Sequence, residues 1–493
     1  MKKYKKINKD RIIKFHDVAK NTIHRSSLLV PEIEGTKVEI SFLNHFLIKR
    51  KIKDVLCKIS AIDNQGNLNG TRSFKIHQPK VYRINLSNLF ENGNTYNVEF
   101  FSSSDLFIPF TAVIINHIGK NFISQVHAYN RILNDIFEDS VVNEIKVDEC
   151  CIDINKNQDT FFVFTSGNSN VKEYINMESN IKNILIKSKL AINQKKLTSK
   201  KYQLSEVLKE PSKSLWDGHL IVSQPYQKLF FGRLLVAQQY KDGAFSANHS
   251  YYDNSKFKEY WDDCSYSYRL YPFLKNFENS INIYPITSPS ALDYSIDLFN
   301  EDGKIIKSYK IGKLKSPSDI YIKHKIKCDN SNEIVAFGLK AFAKTNKIPT
   351  RVTHQLLYGR GKINCSINTS LVNENIFRNL KYVSPTWGEI IIGKKYNSVL
   401  CLCAGTIPKD FSIDYKVKLD VFSVDGKVHS KNYTLKGGTS LNINVDNIID
   451  QKYITKDYEY FWYFINSKNH GLSAYTITYN LQSNHCSGEH NFG

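Results

Sequence analysis

The sequence predicts an all-β chain of four tandem, divergent antiparallel β-sandwich repeats, immunoglobulin-like or jelly-roll-like in kind. Three observations carry this: strand-forming composition, a hairpin signature that returns along the chain, and a near-constant distance from that hairpin to the next apolar strand. The 493 residues are 41% hydrophobic and 23% charged, with 29 Tyr and 29 Phe. That balance belongs to globular proteins, and the length exceeds what one core can fill, so several domains are expected. Abundant aromatics and Ile favour strands.

Alternation with a period of two appears in Val55–Ile62, followed by the turn Asp63-Asn-Gln-Gly66. The same object returns as Tyr294–Phe299 with Glu301-Asp-Gly303, and as Val417–Phe422 with Val424-Asp-Gly426. Glycine suits these turns because they need a positive φ. Each turn is followed by an aromatic-x-aliphatic triplet: Phe74-Lys-Ile76, Tyr309-Lys-Ile311 and Tyr433-Thr-Leu435. A fourth, Tyr202-Gln-Leu204, follows a weaker turn at Asn193-Gln194. The outer residues of each triplet share one face of a strand, which makes them core candidates. A strongly apolar segment lies 27 to 29 residues beyond each triplet aromatic, at Phe101, Phe231, Phe337 and Trp462.

Three repeats then close on an apolar residue, a Ser or Thr, a His and a Tyr. These are Phe122 to Tyr129 with His127, Phe245 to Tyr252 with His249, and Ile348 to Tyr358 with His354. The fourth has Leu472 to Tyr479 and no histidine. The resulting limits are a basic tail over 1–23 and repeats over 24–138, 139–256, 257–362 and 363–493. Segments 253–263 and 361–379 read as connectors.

The N-terminus is basic and lacks the apolar core of a secretory signal. No segment approaches about 18 uninterrupted apolar residues, so a cytoplasmic protein without a transmembrane segment is the default expectation. Nine cysteines without repeating spacing argue for buried thiols rather than a disulfide framework. The net charge of +20 is carried mainly by Lys in an Asn- and Ile-rich chain. That is the bias of an AT-rich genome, and bidentate phosphate recognition would use Arg. Basic and aromatic stretches are also separate, which argues against the interleaved platform of a nucleic-acid groove.

Phosphate-binding loops, nucleophile elbows, paired-histidine zinc helices and Cys-x-x-Cys are all missing. Three candidates for chemistry remain. His127, His249 and His354 could converge on one transition metal, or each could bond the backbone of its own sandwich. The run from Asn484 to His490 places His485, Cys486, Glu489 and His490 together, as a soft-metal site or as a frayed chain end. Tyr251, Tyr252, Tyr260 and Trp261, flanked by Asp262 and Asp263, could stack on sugar rings or cement neighbouring sandwiches. A non-catalytic protein that binds a glycan or another polymer leads. A metal-dependent enzyme using the histidines, or an assembly protein, stands as the alternative.

Overall fold

The computed structural model describes residues 25–492, apart from 92, 103–110, 128–129, 135–138, 140–148, 156–157, 182–183, 209–216, 251–254, 317–318, 320, 328–332, 362–363, 374–382 and 384. The chain folds as two compact units, one of residues 1–120 and 125–252, the other of residues 121–124 and 253–493. Every described sheet pairing is antiparallel and the fold is all-β. The basic tail, Tyr251, Tyr252 and Asp253 lie outside the described residues.

One pairing order occurs in four consecutive stretches of eight strands. The first stretch runs Arg25–Pro31, Lys37–Leu43, Val55–Ile62, Leu68–Ile76, Val81–Asn85, Thr95–Ser102, Ile114–Ile118 and Ile123–His127. Its sheets are ordered first-sixth-third-fourth and fifth-second-seventh-eighth. The second stretch repeats this with Glu149–Asn155, Asp159–Thr165, Val171–Ile181, Ile184–Gln194, Ser199–Gln203, Asp217–Ser223, Leu235–Gln239 and Phe245–His249. The third uses Tyr266–Pro272, Glu278–Ile283, Leu292–Asn300, Ile305–Leu314, Ile322–Lys325, Ile334–Ala343, Thr353–Gly359 and Asn364–Ser370. The fourth uses Thr386–Ile392, Tyr396–Ala404, Asp414–Ser423, Gly426–Lys436, Thr439–Asn444, Glu459–Ser467, Leu472–Asn480 and Cys486–His490. Only the third-fourth and seventh-eighth strand pairs are neighbours in both sequence and sheet; the other connections cross between sheets. The first strand joins the sixth, whereas in the constant-type immunoglobulin order it joins the second.

The recurring turn is the third-fourth hairpin of stretches one, three and four. In each, the register shifts where the strand meets the turn, between Ala61 and Ile62, Leu298 and Phe299, and Val421 and Phe422. In stretches one and three a glycine with positive φ beside a one-residue bulge forms a three-residue hairpin loop, whereas in stretch four Ser423 pairs with Gly426 across a two-residue loop. In these stretches the triplet occupies the fourth strand, and Phe101, Phe337 and Trp462 lie on the sixth. The second stretch departs from the expectation. Its third-fourth hairpin pairs Ile181 with Ile184, so Tyr202 belongs to the fifth strand and Phe231 to a short extra strand, Phe230–Phe231. The apolar-x-apolar pattern looks the same on any strand with one buried face, which is why spacing alone misassigned it. The third stretch also extends past the expected connector at 361, since Asn364–Ser370 pairs with Thr353–Gly359.

In the fourth stretch the two sheets meet through Ile390, Leu419 and Phe461 on one side and Leu400, Leu402 and Ala474 on the other. Tyr396–Ala404 is buried along its whole length. Its even residues face this core, while Val399, Cys401 and Cys403 join the core of the third stretch together with Tyr475 and Ile477. A strand covered on both faces reads as a continuous apolar run, and cysteine serves there as a small hydrophobe.

Cys57, Cys264, Cys365, Cys401, Cys403 and Cys486 are unpaired and buried. Burial pushes Cys403 and Cys486 up to about 12 and raises Cys57, Cys365 and Cys401. At pH 8 a thiol with a pKa of about 12 carries roughly a thousandfold less thiolate than an ordinary cysteine. Cys401 and Cys403 should therefore resist maleimide until denaturant is added, as read by peptide mass spectrometry. Labelling of either in the native chain would contradict the assigned burial.

Candidate functional site

The second unit carries an open cleft of about 570 Å3 between its third and fourth stretches. One wall is the loop after Tyr266–Pro272. Asn279, buried on the following strand, pins this loop by accepting from Leu274 N at 2.9 Å and donating to Leu274 O and Phe277 O at 2.8 Å each. Lys275 and Asn276 are left exposed at its tip. Phe277 packs edge-on against Tyr479 at 5.6 Å, with the Arg360 guanidinium 4.3 Å from the Tyr479 ring.

The facing wall is the edge strand Thr439–Asn444. Asn442 Nδ2 donates to Phe273 O at 2.9 Å, and Ser440 Oγ donates to Asn442 Oδ1 at 2.8 Å. Asn444 is exposed on the same strand. Ile334, Val335, Val399 and Leu435 supply apolar surface.

Two turns close one end. Asn300 Oδ1 accepts from Asp302 N at 3.1 Å and Lys304 N at 3.0 Å, fixing the Glu301–Gly303 turn. Opposite it, Gly438 N donates to Ala404 O at 2.8 Å and Thr439 Oγ1 donates to Lys436 O at 2.6 Å. Lys436 Nζ reaches Asp302 at 2.6 Å, with both side chains more than half exposed. The ammonium holds the Asp302 carboxyl below its usual range, and the carboxylate raises Lys436. The cleft thus combines neutral amides and hydroxyls, apolar strips, two lysines and one carboxylate, Glu301.

The residues singled out from the sequence fall elsewhere. His127 and His249 each end an eighth strand in the first unit, with ring centroids 4.2 Å apart and planes at 80°. His354 instead sits on a seventh strand in the second unit, packed against Tyr271 at 5.3 Å, with Nδ1 3.4 Å from Val352 O. Burial lowers its pKa to about 3. The residue that ends the eighth strand of the third stretch is Ser370, and that of the fourth is His490. The closing motif therefore joined strands that are not equivalent.

The C-terminal run forms a strand and not a frayed end. Cys486–His490 pairs with Tyr475–Tyr479, and His485, Cys486 and Glu489 are buried. Alternation places Cys486 and His490 on one face and Glu489 on the other.

Of the aromatic stretch, Tyr260 is 6% exposed and its carbonyl accepts from Thr350 N and Oγ1, each at 2.7 Å. Trp261 is half-buried and donates Nε1 to Ser255 O at 2.6 Å. Trp261 and Asp262 pair with Pro349 and Ile348, and Asp262 Oδ2 accepts from Asn373 at 2.7 Å. Asp263 is exposed, 3.9 Å from Lys347. These contacts tie the segment to its own unit. No local pattern marks Lys275, Asn276, Asn442 and Asn444, because Lys and Asn are abundant throughout the sequence. The Gly437-Gly438 doublet after a predicted strand was the one local signal of a close approach.

No known protein family matches the chain, and no curated protein matches it. Among solved structures, the M60 catalytic domain with the CBM51-1 and CBM51-2 domains of a Clostridium perfringens protein aligns over 92% of this chain and 53% of its own, at 9% identity and a TM-score of 0.13. This chain thus spans about half the length of that structure. A marsupial T cell receptor aligns over 69% of this chain and 99% of its own, at 11% identity and a TM-score of 0.09. At these scores neither likeness carries an argument about fold or function.

Proposed function

We propose that the chain is a non-catalytic binding protein whose ligand is a carbohydrate, as in a cell-envelope polymer, held in the cleft of the second unit. The observation that carries this reading is the lining. Asn276, Asn442, Asn444 and Ser440 offer both donors and acceptors, beside the apolar surface of Leu435 and Val335. A sugar ring presents hydroxyls on its edge and C–H groups on its faces, so it needs both kinds of surface at once. The volume lies within the range of small-ligand sites. Glu301 is the lone carboxylate of the lining, where most glycoside hydrolases use two. The four stretches are read as copies of one duplicated sandwich near 24–138, 139–256, 257–362 and 363–493, with the third limit moved past Ser370.

Asn276 and Asn444 are exposed, so changing both to Ala should leave thermal stability within about 0.5 kcal/mol. Losing two hydrogen bonds to a bound sugar should weaken binding by about tenfold or more. A glycan array followed by calorimetry on the best hit checks both. Absence of binding to any glycan, or affinity unchanged in the double variant, overturns the proposal.

A further inference from the structure

We propose that His127 and His249 form a binding pair for a divalent transition metal, with Zn2+ and Cu2+ the ions the donor set favours. The proposal is independent of the carbohydrate reading, because the two sites lie in different units and share no residue.

Both histidines end an eighth strand, so the duplicated topology supplies the same donor twice. Ile123–His127 and Phe245–His249 each bring an imidazole to the chain position where pairing stops. Their rings meet edge to face, and their candidate ligand nitrogens lie within 4.8 Å of each other. A tetrahedral ion at about 2.0–2.1 Å from each nitrogen holds the pair about 3.3 Å apart. Rotation of the two rings must close the difference.

The His249 end is built as a metal ligand usually is. Its Nδ1 lies 2.8 Å from Ser250 O and 3.2 Å from an Arg233 guanidinium nitrogen. A carbonyl can only accept and a guanidinium can only donate, so one ring nitrogen cannot bond both. The shorter contact decides: Nδ1–H donates to Ser250 O, and Nε2 carries the lone pair. A backbone carbonyl on the far nitrogen fixes tautomer and ring orientation, the arrangement typical of ligating histidines.

Ser250 is itself held, since its N donates to Leu234 O at 2.7 Å and its Oγ accepts from Leu234 N at 3.1 Å. Arg233 opposes a cation by its charge, and its guanidinium also lies 5.1 Å from the Phe231 ring centroid. A neighbouring positive charge penalises hard ions bound mainly by electrostatics. Zn2+ and Cu2+ form strong bonds to imidazole and tolerate it better.

Calorimetric titration of the full chain with ZnCl2 and with CuCl2, in a non-chelating buffer, tests the proposal. The expected result is one ion per chain, with affinity reduced at least about tenfold in both His127→Ala and His249→Ala. The exposed His77→Ala should bind as the wild type does. No binding, unchanged binding in both variants, or loss in His77→Ala instead overturns the assignment. Should either variant misfold, electron paramagnetic resonance of the Cu2+-loaded wild type decides. Splitting from two imidazole nitrogens supports the pair, and its absence overturns it.

Discussion

Acidification from pH 7 to pH 5 is expected to lower the stability of the first unit by about 4 kcal/mol and that of the second by about 2 kcal/mol. The cause is three fully enclosed imidazoles. His45 and His117 in the first unit and His354 in the second are 0–2% exposed, and burial lowers each to about 3. His45 faces Leu43 O, Lys49 and Arg50, while His354 faces Val352 O and Arg269. His117 lies 6.0 Å from the Phe245 ring.

The folded chain keeps these rings neutral, whereas the unfolded chain protonates them near 6.5. Between those values the unfolded state binds more protons, so the stabilisation is complete above about pH 6.5 and is lost as pH falls toward 3. At pH 5 each ring stands about 1.5 units below its unfolded pKa, which is about 2 kcal/mol at 1.36 kcal/mol per unit. Half-exposed His324 and His429 in the second unit shift the same way and add less. Urea unfolding at pH 7, 6 and 5, with cleavage sites mapped by limited proteolysis, separates the units. His117→Leu should roughly halve the pH dependence of the first. Identical urea midpoints at pH 7 and 5 would refute the assignment of neutral, buried rings.

Gly303→Ala is expected to cost about 3 kcal/mol, against about 1 kcal/mol for Gly426→Ala, although each glycine follows an Asp in the third-fourth hairpin of its stretch. Gly303 has φ +74, and a Cβ there would overlap the carbonyl oxygen of Gly437, a backbone atom that cannot swing aside. Gly426 has φ +126 with nothing within 4 Å of the position its Cβ would take. Both substitutions bear the strain of a left-handed backbone, about 1–2 kcal/mol. Only the first also separates two packed turns, disturbing the Lys436–Asp302 pair at the mouth of the cleft. Gly303→Ala should therefore weaken glycan binding as well as lower the melting temperature. Equal melting shifts for the two variants would show that the turns do not bear on each other.

Local chemistry alone determined a good deal of this protein. Strand identity and the buried face follow from alternation, as in Leu292–Asn300, where Tyr294, Ile296 and Leu298 are buried between half-exposed Asp293, Ser295 and Asp297. The Gly-bearing hairpins follow from the need for positive φ, and the unpaired cysteines from their irregular spacing. These are properties of one strand or one turn, and a few residues specify them. What only the tertiary structure decided is which strand meets which. His354 resembles His127 and His249 in sequence but lies on a seventh strand, while His490, without the motif, ends an eighth. From Val399 to Ala404 the strand is apolar on both faces because a second sandwich covers the side that would otherwise face water. The cleft, too, is made by Asn276 and Asn442, which lie far apart in the chain and have no local pattern in common. Pairing and docking depend on surfaces brought together across hundreds of residues, and period-two alternation carries no information about the partner.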